Sequence, residues 1–358
     1  MFKRRMLPVT IVLTLVLTLM VTASVSAQEV DDLGGGAVFR DADAASDSLV
    51  MVFHDVPTPP EGSAYEGWLL DSTGGKVSVG ILIRSGTADI EQTYVSPSGE
   101  NLAASYSRFA ISIEPVPDPD PETPGPIAYS DAIPSGVFPH LGHLVVAWSP
   151  NPDSKGIAVG LREQMAVAFA HAELARKSSS LGGQQTHSQH VVNIIEGSGG
   201  ANYDASVGDP GDGNGVLNYA ADLIKHAQFS KDAAPDDDSV SDGADGAIEA
   251  AEAALSRAER ALSDALRVVN TSPGTPADNA VLLIRLGNVS NLTKLGIDDA
   301  KDAYLGSQNI GLFEALAGGA PPGVGDPLVS TAAMVALLAG LLLTGAGGLL
   351  VFRRRQTA

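Results

Sequence analysis

Phe109-Ala110-Ile111-Ser112-Ile113-Glu114-Pro115 carries an apolar residue at every second position, the pattern of a strand with one buried face. Val77, Val79, Ile81 and Ile83 repeat it upstream, and β-rich runs at 49–53 and 65–70 precede both. Turn-forming stretches, Ser72-Thr73-Gly74-Gly75 and Ser96-Pro97-Ser98-Gly99, separate the runs at the spacing of a sandwich. Residues 38–150 are therefore expected to form a small antiparallel β-sandwich. Its Pro-rich segment 115–126 reads as an extended loop, and the acidic, glycine-containing 28–37 as a flexible lead.

Beyond Pro150 the period changes from two to that of a helix. Ile157, Leu161, Met165, Ala168, Ala172 and Ala175 fall on one helical face, and Ile248, Ala251, Leu255, Ala258, Leu262, Leu266 and Val269 on another. Shorter helices are expected at 187–196, 215–229, 278–286 and 298–304. The expected fold class is thus α+β multidomain, with a β-sandwich (38–150), an α-helical bundle (151–317) and a Gly/Pro spacer (318–327). A C-terminal single transmembrane helix would complete it.

Several ordered motifs carry a family resemblance. Tyr65-Glu66-Gly67-Trp68-Leu69-Leu70, Gly80-Ile81-Leu82, the 109–115 segment and Pro124-Gly125-Pro126-Ile127 together resemble the C-terminal domain of anti-sigma-K factors of the RskA type, over about residues 38–133. The resemblance implies a bacterial protein and an extracytoplasmic sandwich. In that family a transmembrane helix and a cytoplasmic sigma-binding domain precede the sandwich, whereas here the anchor is expected at the opposite end.

That expectation comes from the two apolar ends. Residues 1–27 have a basic start, an apolar run and a Val25-Ser26-Ala27 ending, the form of an export signal. Residues 328–352 are uncharged and are followed at once by Arg353, Arg354 and Arg355, as in a membrane span with a cytoplasmic basic tail (353–358). The expected location is the bacterial cell membrane, single-pass, with the bulk of the chain outside. Ala336, Gly340, Thr344 and Gly348 place small residues at every fourth position of that span, a seam through which two copies could form a homodimer. The formal net charge of −20 disfavours nucleic acid and favours cations or a basic protein partner. With no cysteine, disulfides, thiolate metal sites and cysteine catalysis are excluded.

Histidines are the most suggestive polar residues. Of the seven, His171, His187, His190 and His226 fall in the helical half, and His187 and His190 are spaced to leave one helical face. Brought together, such imidazoles bind a metal ion or haem iron, with Glu173 or Glu196 as carboxylate partners. His140 and His143 form a second i, i+3 pair at the domain junction, either a hinge contact or a ligand pair, with the structural reading favoured. Asp204, Asp209, Asp212 and Asn214 supply the oxygens of a calcium loop. Asp238, Asp242, Gly243 and Glu249 match four positions of an EF-hand, but Val240 replaces a ligand and helix capping explains the acids equally well. The chain has no Gly-x-Ser-x-Gly elbow, no His-Glu-x-x-His and no phosphate-cradling loop, so no enzyme activity is expected. The leading expectation is a membrane-anchored extracytoplasmic sensing or binding protein. Its alternatives are His-dependent metal or haem binding, for electron transfer or metal handling, and anti-sigma regulation of transcription.

Overall fold

Phe109 and Ile111 are buried, as the alternation requires, but so are Ala110, Ser112 and Glu114 on the opposite face. Both faces of this strand are covered. In a computed structural model of the chain, which describes residues 31–318, the strands are β1 (Leu33–Arg40), β2 (Ser48–His54), β3 (Ser63–Leu70), β4 (Lys76–Leu82), β5 (Ile90–Val95), β6 (Arg108–Pro115), β7 (Ile127–Ala132) and β8 (Phe313–Ala317). The inner face of β6 joins the main core with Phe53 and Phe313, while its outer face packs Ala110 against Trp68 and Leu70. On that outer face Trp68 Nε1 donates to Ser112 Oγ (2.9 Å), and Gly125 N, from the Pro-rich loop, donates to Glu114 Oε1 (2.6 Å). The loop thus covers polar groups that the sheet would otherwise leave open.

The expected sandwich is replaced by one nearly closed antiparallel sheet, in the order β4-β3-β6-β7-β8-β1-β2-β5. Its two edges approach each other where Gln92 Nε2 on β5 donates to the Ile81 carbonyl on β4 (3.2 Å). The strand that converts two sheets into one is β8, which pairs with β7 on one side and β1 on the other. It comes from the end of the segment expected to be purely helical. The expected flexible lead is likewise ordered from Leu33 as β1, where glycine is required: a Cβ at Gly35 would lie 2.1 Å from the Val52 carbonyl oxygen, and one at Gly36 would lie 2.6 Å from that of Phe313. In β4 the alternation breaks at Gly80, with φ of +98° beside a register shift, so Leu82 turns inward while Ile81 and Ile83 face out.

Between β7 and β8 the chain forms α2 (Phe138–Val145), α3 (Ile157–Lys177), α4 (Leu181–Glu196), α5 (Val216–Ala233), α6 (Asp238–Val269) and α7 (Pro276–Asn309), with the short α1 (Leu102–Ser105) earlier in the sheet region. All six apolar residues expected on the first helical face are buried in α3. In α6 the buried seam is Val240, Ala244, Ala247, Ala251, Ala254, Ala258, Ala261, Ala265 and Val268, alternating spacings of four and three. The leucines expected to lead this face flank it, half-buried. Small side chains let the helices approach closely: a Cβ at Gly306 of α7 would lie 2.6 Å from the Ala247 amide nitrogen. The two short helices expected at 278–304 are one helix, α7, started by a capping box between Thr275 and Asp278. Asp238, Asp242 and Glu249 lie inside continuous α6, whose N-cap is Asp237, so this segment forms no EF-hand loop.

A hydrogen-bonded joint holds the helices to the sheet. Asp41, just after β1, accepts from Tyr304 Oη (2.7 Å), Gln308 Nε2 (3.1 Å) and Arg162 Nη1 (3.1 Å). One hydrophobic core extends from Phe39 and Phe53 on the strands to Leu161 and Tyr219 on the helices.

The expected transmembrane helix and single-pass membrane location find no support in this structure. No helix among the described residues is long and apolar enough to cross a membrane, because the long ones interleave charged residues with their apolar seams. The export signal at 1–27, the anchor at 328–352 and its small-residue seam (Ala336, Gly340, Thr344, Gly348) lie outside the described residues.

The alanine seam yields a direct test. Ala258→Leu is expected to lower the urea-unfolding free energy by ~1–3 kcal/mol through overpacking, whereas Glu259→Gln on the exposed side changes it by less than ~0.5 kcal/mol.

Candidate metal centre

The α3–α4 hairpin turns at Ser178-Ser179-Ser180, where Ser180 Oγ caps α4 by accepting from Gly183 N (3.2 Å). This turn sets His171, on α3, opposite His187 and His190, which leave α4 one turn apart. One ring nitrogen from each of the three lies within 4.8 Å of the other two. His190 Nδ1 and His171 Nδ1 lie 3.1 Å apart. A tetrahedral ion with ~2.0–2.1 Å bonds to nitrogen holds its ligands about 3.3 Å apart, so the separation suits one small ion.

A backbone carbonyl orients the site. His190 Nε2 lies 2.8 Å from Val207 O, which can only accept; Nε2 therefore carries the proton, and the Nδ1 lone pair faces the other rings. The loop that supplies this carbonyl is pinned from α4. Asn193 Nδ2 donates to Asp204 O and Gly208 O (both 2.8 Å), and Gln189 Nε2 donates to Asn202 O (2.8 Å). Gly197, which ends α4 with φ of +74°, has no room for a Cβ beside Asn214 O. His187 Nδ1 is buried with no hydrogen-bond partner among the described residues. Burial, with His190 and His187 adding to it, pushes His171 down from 6.5 to about 4, and His187 moves in the same direction. Burial thus favours the neutral form of His171 and His187, the state that binds metal.

Of the four histidines grouped by sequence, three converge here and His226 does not. Its partners are His140 and His143 from α2, the pair read as a hinge contact or a ligand pair; one nitrogen from each of these three also falls within 4.8 Å of the others. Apart from the i, i+3 spacing in α2, nothing local in the sequence signals that meeting. The seventh histidine, His54, pairs with Asp89 (3.0 Å).

The oxygen ligands proposed from sequence do not assemble. Asp204 Oδ1 accepts from Ser206 N, Asp209 Oδ1 from Gly211 N and Asp212 Oδ1 from Asn214 N, each closing its own turn. Asp212 Oδ2 also accepts from Tyr219 Oη (2.8 Å), and Asn214 Nδ2 points to Asn151 Oδ1 (3.4 Å). Glu173 is held by Arg176, Lys177 and Ser290, and Glu196 by Asn202, so neither reaches a histidine triad.

Comparison with known families bears on the sheet. Residues 17–127 match the family described as Anti-sigma-K factor rskA, C-terminal. This agrees with the resemblance carried by 65–70, 80–82, 109–115 and 124–127. Within the described residues the match spans β1 to β6 and ends at the first residue of β7, so both histidine triads lie outside it. No curated protein and no solved structure matches the chain.

Burial of His226 and partial burial of His171 make stability pH-dependent. His226, like His171, is pushed down to about 4, first by burial and then by His143, His140 and Lys225. As pH falls below 6.5 the unfolded chain takes up protons that the folded rings resist, so stability held above pH 6.5 is lost progressively toward pH 4. Asp131, pushed up to about 6 by burial, acts in the opposite sense and is common to the variants below. In metal-free protein, His171→Asn and His226→Asn are each expected to flatten the fall in Tm between pH 6.5 and 4. Unchanged slopes in both would contradict the assignment.

Proposed function

We propose that the chain is a binding or sensing protein whose ligand is a transition-metal ion of the Zn2+, Ni2+, Co2+ or Cu2+ class, held by His171, His187 and His190. The observation that carries this reading is the meeting of three ring nitrogens, one of them oriented by the Val207 carbonyl, with no carboxylate among them. An all-imidazole set favours these metals over calcium or magnesium, which prefer oxygen. Three protein ligands leave a further coordination position for water or an exchangeable ligand, as suits sensing or handling better than a closed structural site. The 3.1 Å nitrogen separation favours a compact ion over haem, since opposed bonds of ~2.0 Å would hold two imidazole nitrogens about 4 Å apart. The role proposed is binding rather than catalysis.

The family match favours a second reading, in which the chain regulates a sigma factor as anti-sigma factors do. Joined to the first, it makes the metal the signal and a protein partner the receiver; the net charge of −20 suits a partner with a basic surface. A pull-down with sigma factors, with and without Zn2+, tests this link. Metal-dependent capture is the expected outcome, and no capture in either state would remove the regulatory reading.

Metal uptake tests the centre itself. His171→Asn and His190→Asn are each expected to reduce tight Zn2+ binding by one ion per chain, or to weaken that ion at least tenfold, by calorimetry and elemental analysis of the full chain. Unchanged uptake and affinity in both variants would overturn the proposal.

A further inference from the structure

His140 and His143 leave α2 on one face, and His226 meets them from α5. His140 Nδ1 and His226 Nδ1 are 3.3 Å apart, the ligand-to-ligand edge of a tetrahedral ion with ~2.0–2.1 Å bonds. His226 is 5% exposed, and His143 Nδ1 is buried with no hydrogen-bond partner among the described residues. Around the rings lie Trp148, with its centroid 4.3 Å from that of His143 and 4.7 Å from that of His226, and Phe229, 5.3 Å from His140.

A purely aromatic cluster would account for the stacking, and phenylalanine would serve it as well. It does not account for the nitrogens. Between His140 and His226 one proton satisfies the contact, but the buried His143 Nδ1 is left with neither donor nor acceptor, at a cost that native interiors rarely accept. An ion at the centre would satisfy a lone pair from each ring. Lys225 lies over Phe229 (5.7 Å) and disfavours a protonated His226 without supplying a ligand.

We infer that His140, His143 and His226 form a second transition-metal site, separate from the one at His171, His187 and His190, with Trp148 placed to report its occupancy. An ion there would tie α2, which directly follows the sheet, to α5 in the helical layer. The inference uses the same ligand chemistry as the proposed function but none of the same residues.

The two are separable by experiment. In the full chain carrying His171→Asn and His190→Asn, titration with Cu2+ is expected to quench Trp148 fluorescence and to saturate at one ion per chain; a Trp148→Phe version supplies the Trp68 background. Adding His143→Asn, or in a parallel protein His140→Asn, should abolish the saturable quench or shift its midpoint at least tenfold, with far-UV circular dichroism confirming the fold. Absence of saturable quenching in the double variant would overturn the second site, and would leave the first standing if the wild type still binds one ion. Saturable quenching that persists unchanged in both added variants would also overturn it.

Discussion

The pairing of β8 with β1 and β7 is the constraint on which the rest of the molecule depends. Without it, β4-β3-β6-β7 and β1-β2-β5 would be separate sheets with open inner edges. With it, the whole helical layer becomes an insertion whose two ends are fixed at neighbouring strands. Phe313 anchors the closure by packing against Phe39 at 5.5 Å and Phe109 at 6.1 Å, and α7 enters β8 directly beside the Asp41–Tyr304–Gln308 joint.

That tethering positions the histidines. Because α2 follows β7 immediately, its place against α5 is bound to the sheet, whereas the α3–α4 hairpin builds the other triad from within the helical layer. Burial then favours the neutral form of His171 and His226, against a background of strong negative charge that concentrates cations near the surface. The acidic loops contribute long-range attraction, while their oxygens close local turns.

Legibility of the sequence followed the range of the interactions. The period-two run at 109–115, the α3 face and the convergence of His187 with His190 are local and were readable. So was the family resemblance, which the match over 17–127 bears out. Phe313-Glu314-Ala315-Leu316-Ala317, at the end of the span expected to be a helical bundle, is made largely of good helix formers, and only the gap between β1 and β7 makes it a strand. The alanine seam of α6 was displaced in the reading because leucines dominate hydropathy, although close helix packing buries the smaller side chains. The meeting of His226 with His140 is likewise illegible: the contact spans 86 residues, and no local pattern encodes it.

The six rings meet in two tri-histidine groups, and metal occupancy of both is the proposal that the fold supports. Crystals of the full chain grown with Zn2+, measured on either side of the zinc absorption edge, test it most directly. One anomalous peak is expected within bonding distance of His171, His187 and His190 and a second within bonding distance of His140, His143 and His226. Zinc found only on carboxylates, with neither triad occupied at saturating metal, would contradict it.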